Sequence, residues 1–232
     1  MPTISIAATD GAGSFDAYLL EPKNRPAGAV VLIQEIFGIN ASIRETAAQL
    51  ADLGFFVLAP DLFWRQERNV ELTDKSQEEW NKAFSLMQGF DQDKGLADLK
   101  ATLAAARTLP GANGKAGSVG YCLGGLLAFR LAIESDADIN VSYYGVGLDN
   151  FIGGLDQVRA PLLLHIAGQD EYFPPEGRAR TLAAAEGHKL VRGYVYPGAD
   201  HAFARINGIH WDARSAWIAN GRTAEALAAA LD

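Results

Sequence analysis

Short apolar runs of strand length alternate with segments of helical spacing along nearly the whole chain. Residues 4–8 and 15–20 read as two strands joined by the turn Asp10-Gly11-Ala12-Gly13, a hairpin suited to a sheet edge. Residues 29–33 are continuously apolar, as in a parallel strand covered on both faces. Residues 40–53 carry Ile43, Ala47 and Leu50 on one helical stripe, and residues 55–59 form the next strand, closed by Pro60-Asp61. Residues 62–74 show no period and are expected to be a surface excursion over the end of the sheet. Helices are expected over 78–87, 91–108, 123–133, 174–185 and 214–231, and strands over 115–119, 141–144, 161–167 and 190–196. Such alternation predicts an α/β fold, a mostly parallel doubly wound sheet with helices on both faces. No repeat or linker divides residues 1–232, so one domain is expected.

Composition narrows the classes. The chain has 232 residues, 49% apolar and 21% charged, enough for a substantial core. No apolar run spans a membrane, and the first twenty residues lack a basic and then continuously apolar leader, so a cytosolic protein is the default. A net charge of −8 argues against nucleic acid or an anionic membrane as partner. The single cysteine excludes an internal disulfide and any multi-cysteine metal site. A monomer without cofactor or metal is expected.

That cysteine sits in Gly117-Ser118-Val119-Gly120-Tyr121-Cys122-Leu123-Gly124-Gly125, between an extended run and an apolar helix former. Gly-x-Cys-x-Gly is the thiol version of the nucleophile elbow, a strained turn whose flanking glycines let backbone segments cross. The helix start beyond it favours a thiolate. A lone cysteine is more often a small buried hydrophobe; the surrounding glycines shift the balance toward a nucleophile.

In a doubly wound sheet, ligands bind beyond the carboxyl ends of the strands. The loops there hold Gly168-Gln169-Asp170-Glu171 and Ala199-Asp200-His201-Ala202-Phe203. Cys122, Asp170 and His201 therefore follow the order nucleophile, acid, base. Alternatives stay open: Asp170 as cap of the following helix, Glu171 as rival acid, Asp200 as the orienting acid, and His210 as rival base. His165 fits a satisfied core residue and His188 a solvated one. Glu35, in Gln34-Glu35-Ile36-Phe37-Gly38, is an acid at the end of a buried strand and needs a partner, or else caps the helix near Asn40. A metal site on Glu35, Asp170 and His201 has no characteristic spacing.

Residues 34–38 and 120–125, with Tyr143-Tyr144-Gly145-Val146-Gly147, Gly168-Gln169-Asp170 and His201-Ala202-Phe203-Ala204-Arg205, together resemble the dienelactone hydrolase (carboxymethylenebutenolidase) family over almost the whole chain. The resemblance implies an α/β-hydrolase fold and a Cys122, His201, Asp170 triad. It also implies that Glu35 pairs with the thiol at rest and helps form the thiolate. The backbone amides of Leu123 and Ile36 would make the oxyanion hole. Arg205 corresponds to the arginine that holds a substrate carboxylate; otherwise it is an ordinary exposed arginine. Where the family has a second arginine this chain has Trp80, with Lys82 and Arg65 as nearby substitutes. The departure opens the way to a neutral acyl substrate.

A thiolate leaves a tetrahedral intermediate more readily than a simple alkoxide, so the chemistry favours enol lactones, activated esters or thioesters. Two other classes compete: a binding protein on the same scaffold, and a redox thiol protein, which has no resolving cysteine here.

Overall fold

The computed structural model describes residues 2–232 and contains one eight-stranded sheet. In chain order its strands are β1 (Thr3–Ala7), β2 (Ser14–Leu20), β3 (Ala27–Ile33), β4 (Phe56–Pro60), β5 (Ala112–Tyr121), β6 (Asn140–Tyr143), β7 (Leu162–Ala167) and β8 (Val191–Tyr196). Their spatial order is β1-β2-β4-β3-β5-β6-β7-β8. The first two strands form the expected antiparallel hairpin, and β2 runs antiparallel to β4; every pairing from β4 to β8 is parallel. The helices are α1 (Ala41–Asp52), α2 (Gln77–Gln88), α3 (Gln92–Arg107), α4 (Leu123–Glu134), α5 (Pro175–Glu186) and α6 (Ala213–Leu231).

The period of two along a strand distributes the core. In β3, Val30 and Leu32 pack in a cluster with Ile43 and Leu50 of α1 and Leu227 of α6, while Val31 and Ile33 join Leu99 and Leu103 of α3 and Leu127 of α4. A third cluster joins Leu162 and Leu164 of β7 to Phe129 of α4. Burial on both faces is why β3 is apolar throughout.

One local expectation differs. Residues 62–74 are not a surface excursion: Leu62, Phe63, Trp64, Val70 and Leu72 are buried, and the segment closes over the aromatic side of the core. Its fixed points are polar and so leave no hydrophobic period: Asp61 accepts from the amides of Phe63 and Asn69, and Asn40 donates to the Leu72 carbonyl. Between β6 and β7 lie two 3₁₀ segments, Leu148–Asn150 and Ile152–Gln157, too short to leave a period in the sequence. Among the described residues no helix is long and apolar enough to cross a membrane.

Candidate active site

Four of the sequence-derived residues stand just beyond carboxyl ends of parallel strands: Glu35 after β3, Cys122 after β5, Asp170 after β7 and His201 after β8. Cys122 turns the chain directly from β5 into α4 with φ 55° and ψ −113°, a conformation strained for a residue with a Cβ. Its amide donates to the Tyr143 carbonyl at 3.1 Å, which fixes the turn. Close packing of backbone explains the glycines. A Cβ on Gly120 would lie 2.0 Å from the Gly124 oxygen, one on Gly124 2.4 Å from the Ile33 oxygen, and one on Gly125 2.5 Å from the Tyr143 oxygen. The half-buried sulfur stands at the positive end of α4.

His201 is buried, and its Nδ1 donates to Asp170 Oδ2 at 2.9 Å, leaving the other ring nitrogen free of that bond; Cys122 and His201 line the same cavity. Asp170 Oδ1 accepts from the Tyr172 amide at 2.9 Å, so both carboxylate oxygens are engaged. Helix α5 has Pro174 at its N-cap and no side-chain cap, so Asp170 does not serve it, and Glu171 is exposed. The rings of Tyr144 and Tyr172 pack edge-on against the imidazole, with centroids 5.1 and 4.9 Å away. Burial works against a charged His201, yet the Cys122 sulfur and then Asp170 outweigh it and push its pKa up to about 10.

The other histidines do other work. His165 is fully buried, with Nδ1 2.9 Å from Tyr196 Oη and Nε2 3.0 Å from Thr223 Oγ1. His188 Nδ1 accepts from the Leu190 amide, and His210 faces Asp200 at 3.4 Å on the surface. Asp200 is therefore turned away from His201.

Glu35 differs from its expected place. Both its oxygens accept from Arg205, Oε2 from Nε at 2.6 Å and Oε1 from Nη2 at 3.1 Å, so its resting partner is the guanidinium and not the thiol. The helix-cap alternative also falls, because Asn40 caps α1 with its own side chain. Arg205 is no exposed arginine; it is 5% exposed, and its Nη1 is held by Asp74 at 2.7 Å. Lys82 pairs with Glu67 at the surface, and Arg65 pairs with Asp98 and Asp10. Neither lines the cavity over Cys122, so neither replaces the missing arginine.

That cavity has a volume of about 490 Å³ and reaches Cys122, His201, Leu123 and Ile36 at its floor. Its wall is aromatic, with Phe37, Trp80, Phe84, Phe90, Phe151 and Tyr172. Leu123 is the first residue of α4, so its amide has no acceptor within the helix.

Three contributors escaped the sequence: Asp74, which lay in the segment without a period; Tyr172, two residues beyond Asp170; and Arg178. Arg178 donates to the carbonyls of Gly168, Asp170 and Phe173 at 3.0, 2.8 and 2.6 Å and so ties the acid's loop to α5. Only Tyr172, beside a motif, had any local signal.

Comparison with known proteins bears on the family and the fold. The dienelactone hydrolase family is matched over residues 15–231. A protein of Azospirillum brasilense is 48% identical over 226 residues, 97% of this chain and 96% of its own. The carboxymethylenebutenolidase of Pseudomonas putida is 39% identical over 225 residues, 97% and 95% of the two chains. Among solved structures, a dienelactone hydrolase-like promiscuous phosphotriesterase from metagenomic libraries superposes with a TM-score of 0.83 at 22% identity, covering 100% of this chain and 99% of the other, which speaks for the fold alone. With its elbow, its sheet and matches over nearly all its length, the chain belongs to the dienelactone hydrolase family, on the α/β-hydrolase fold.

Proposed function

We propose that this protein hydrolyses an activated ester or lactone, the class that includes the butenolide named in its relatives, through a thioester on Cys122. The observation that carries the reading is the Asp170–His201 hydrogen bond together with Cys122 and His201 on the lining of one largely aromatic cavity. His201 takes the thiol proton, and Asp170 holds the ring with Nδ1 protonated and supports the imidazolium. The sulfur attacks the carbonyl carbon, and the oxyanion meets the amides of Leu123 and Ile36. The C–O bond then breaks, and the leaving oxygen takes the proton from His201. In the second half, His201 takes a proton from water as the water attacks the thioester; the C–S bond breaks and the acid departs.

Because Glu35 is held by Arg205, His201 serves as the base for the thiol in this scheme, and Glu35 acts by fixing the guanidinium. The test is intact-protein mass measurement after rapid mixing with a naphthyl acetate. An acetyl adduct on the wild type and none on Cys122→Ala supports the covalent route; turnover by Cys122→Ala at the wild-type rate refutes it.

A further inference from the structure

Cys122, Leu126 and Arg130 follow one another at helical spacing along α4. The Leu126 amide donates to the Cys122 carbonyl at 3.1 Å, so Leu126 stands one turn beyond the sulfur's residue, and both line the cavity. Arg130, a further turn along, stays out of the lining and braces it: it is 7% exposed, and its guanidinium carbon lies 5.1 Å over the Phe151 ring. Its Nη2 donates to Asp93 Oδ1 at 2.8 Å and its Nε to Glu134 Oε1 at 3.0 Å. One buried cation thus ties the 3₁₀ region beyond β6 to the first turn of α3.

The side chains held this way are uncharged. Leu126 belongs to the third core cluster, against which Phe151 packs. Phe90 is seated on α3, where a Cβ on Gly95 would run into its ring. Leu126, Phe151 and Phe90 all line the cavity, with Gln92 and Asn150 as neutral polar neighbours, whereas the contacts of Arg205 lie with Glu35, Asp74 and Phe37. The eight positions from Cys122 to Arg130 span about 12 Å of helix axis. The whole cavity, at about 490 Å³, falls in the range that encloses a drug-sized ligand, and one five-membered ring leaves much of it unfilled. In the proposed reaction the leaving oxygen must face His201 to take its proton, and that ring is flanked by Tyr144 and Tyr172. The acyl group is then the part of the ester free to run along α4.

We propose that Leu126, Phe151 and Phe90 form an acyl-chain subsite along α4, so that the protein prefers esters of an extended apolar acid, hexanoyl to octanoyl in length, over acetyl esters. The proposal rests on the hydrolase reading for its ester and leaves Arg205 to other parts of the substrate.

The experiment compares kcat/KM on p-nitrophenyl acetate, butanoate and hexanoate, which share one leaving group. Hexanoate is expected to exceed acetate by about tenfold or more in the wild type. Leu126→Trp, which fills the subsite, and Phe151→Ala, which removes one wall, should each shrink that ratio several-fold. A wild-type ratio of one or below overturns the proposal, as does a ratio unmoved by the variants. Should Leu126→Trp not fold, Phe151→Ala, at a half-buried position, decides. Binding is read apart from turnover by isothermal titration calorimetry on Cys122→Ala, where octanamide is expected to bind about tenfold tighter than butanamide or more. That preference, with no ester cleaved by the wild type, overturns the acyl-enzyme reading and leaves the subsite standing. Equal cleavage of all three esters with equal binding of the two amides overturns the subsite and leaves the acyl-enzyme reading standing.

Discussion

Arg178 Nη1 donates to the main-chain oxygen of Asp170 at 2.8 Å, so Asp170 is positioned through its backbone by a residue on the next helix. The same side chain holds the carbonyls of Phe173 and Gly168, on either side of the acid. Arg178→Ala leaves three carbonyls without their donor and frees the loop. The expected result is a loss of about 1–3 kcal/mol in urea unfolding, with kcat/KM down about tenfold through kcat while KM is little changed. Arg178→Lys should restore part of the stability but little of the rate, because a point charge cannot reproduce the fork. Unchanged kcat in Arg178→Ala would show that Asp170 needs no such support.

The elbow glycines make a second prediction with an internal control. A Cβ on Gly124 meets the main-chain oxygens of Ile33 and Gln34 at 2.4 and 2.6 Å, and backbone cannot move aside as a flexible side chain can. Gly124→Ala should cost about 3 kcal/mol and displace Cys122 from His201, so thermal unfolding and esterase rate fall together. Gly221, exposed within α6, has nothing within 4 Å of an added Cβ. Gly221→Ala should raise stability by about 0.5–1 kcal/mol. Opposite signs in the two melting curves are the check.

His165 gives a pH dependence of stability. Burial, and then the Arg222 charge, lower its pKa from 6.5 to about 3. Between those values the unfolded chain holds a proton that the folded chain does not, so protonation favours unfolding. The contribution of this group is present above pH 6.5 and is lost as pH falls below it, with a slope approaching about 1.4 kcal/mol per pH unit. Urea midpoints at pH 7, 6 and 5 should fall more steeply for the wild type than for His165→Gln, which cannot titrate. Parallel curves would show that the imidazole is not held neutral.

The order of elements was legible because both signals it depends on are local. Val30, Val31, Leu32 and Ile33 are apolar on successive positions because each face of β3 is covered, and Ile43, Ala47 and Leu50 mark the one buried stripe of α1. The positions of Cys122, Asp170 and His201 were legible for a related reason: each follows a strand within a few residues, so topology alone carries them to one edge of the sheet. Partnerships between distant residues were not. Arg205 and Asp74 lie 131 positions apart, and neither the buried fork nor its second carboxylate leaves a periodic trace. Lys82 looked like a substitute cation from its place in the helix, but its length lets it reach Glu67 in solvent, where a pair costs less desolvation.

The raised pKa of His201 bears on how one imidazole would serve both halves of the proposed reaction. The Cys122 sulfur and then Asp170 raise the pKa of the ring against the cost of burial. In the proposed acyl-enzyme the sulfur is an uncharged thioester while burial stays, so the pKa of the ring falls there. In the proposed second half-reaction, a ring whose pKa has fallen is the neutral base able to take a proton from water. Cys122→Ala removes the same influence of the sulfur in a stable protein. In imidazole NMR titrations His201 should change state near 10 in the wild type and well below 10 in Cys122→Ala. In Asp170→Asn it should fall as well, since Nδ1 loses its ionised partner. A titration that stays near 10 in Cys122→Ala would mean that the sulfur is not what holds the proton, and the switch between the two half-reactions would need another source.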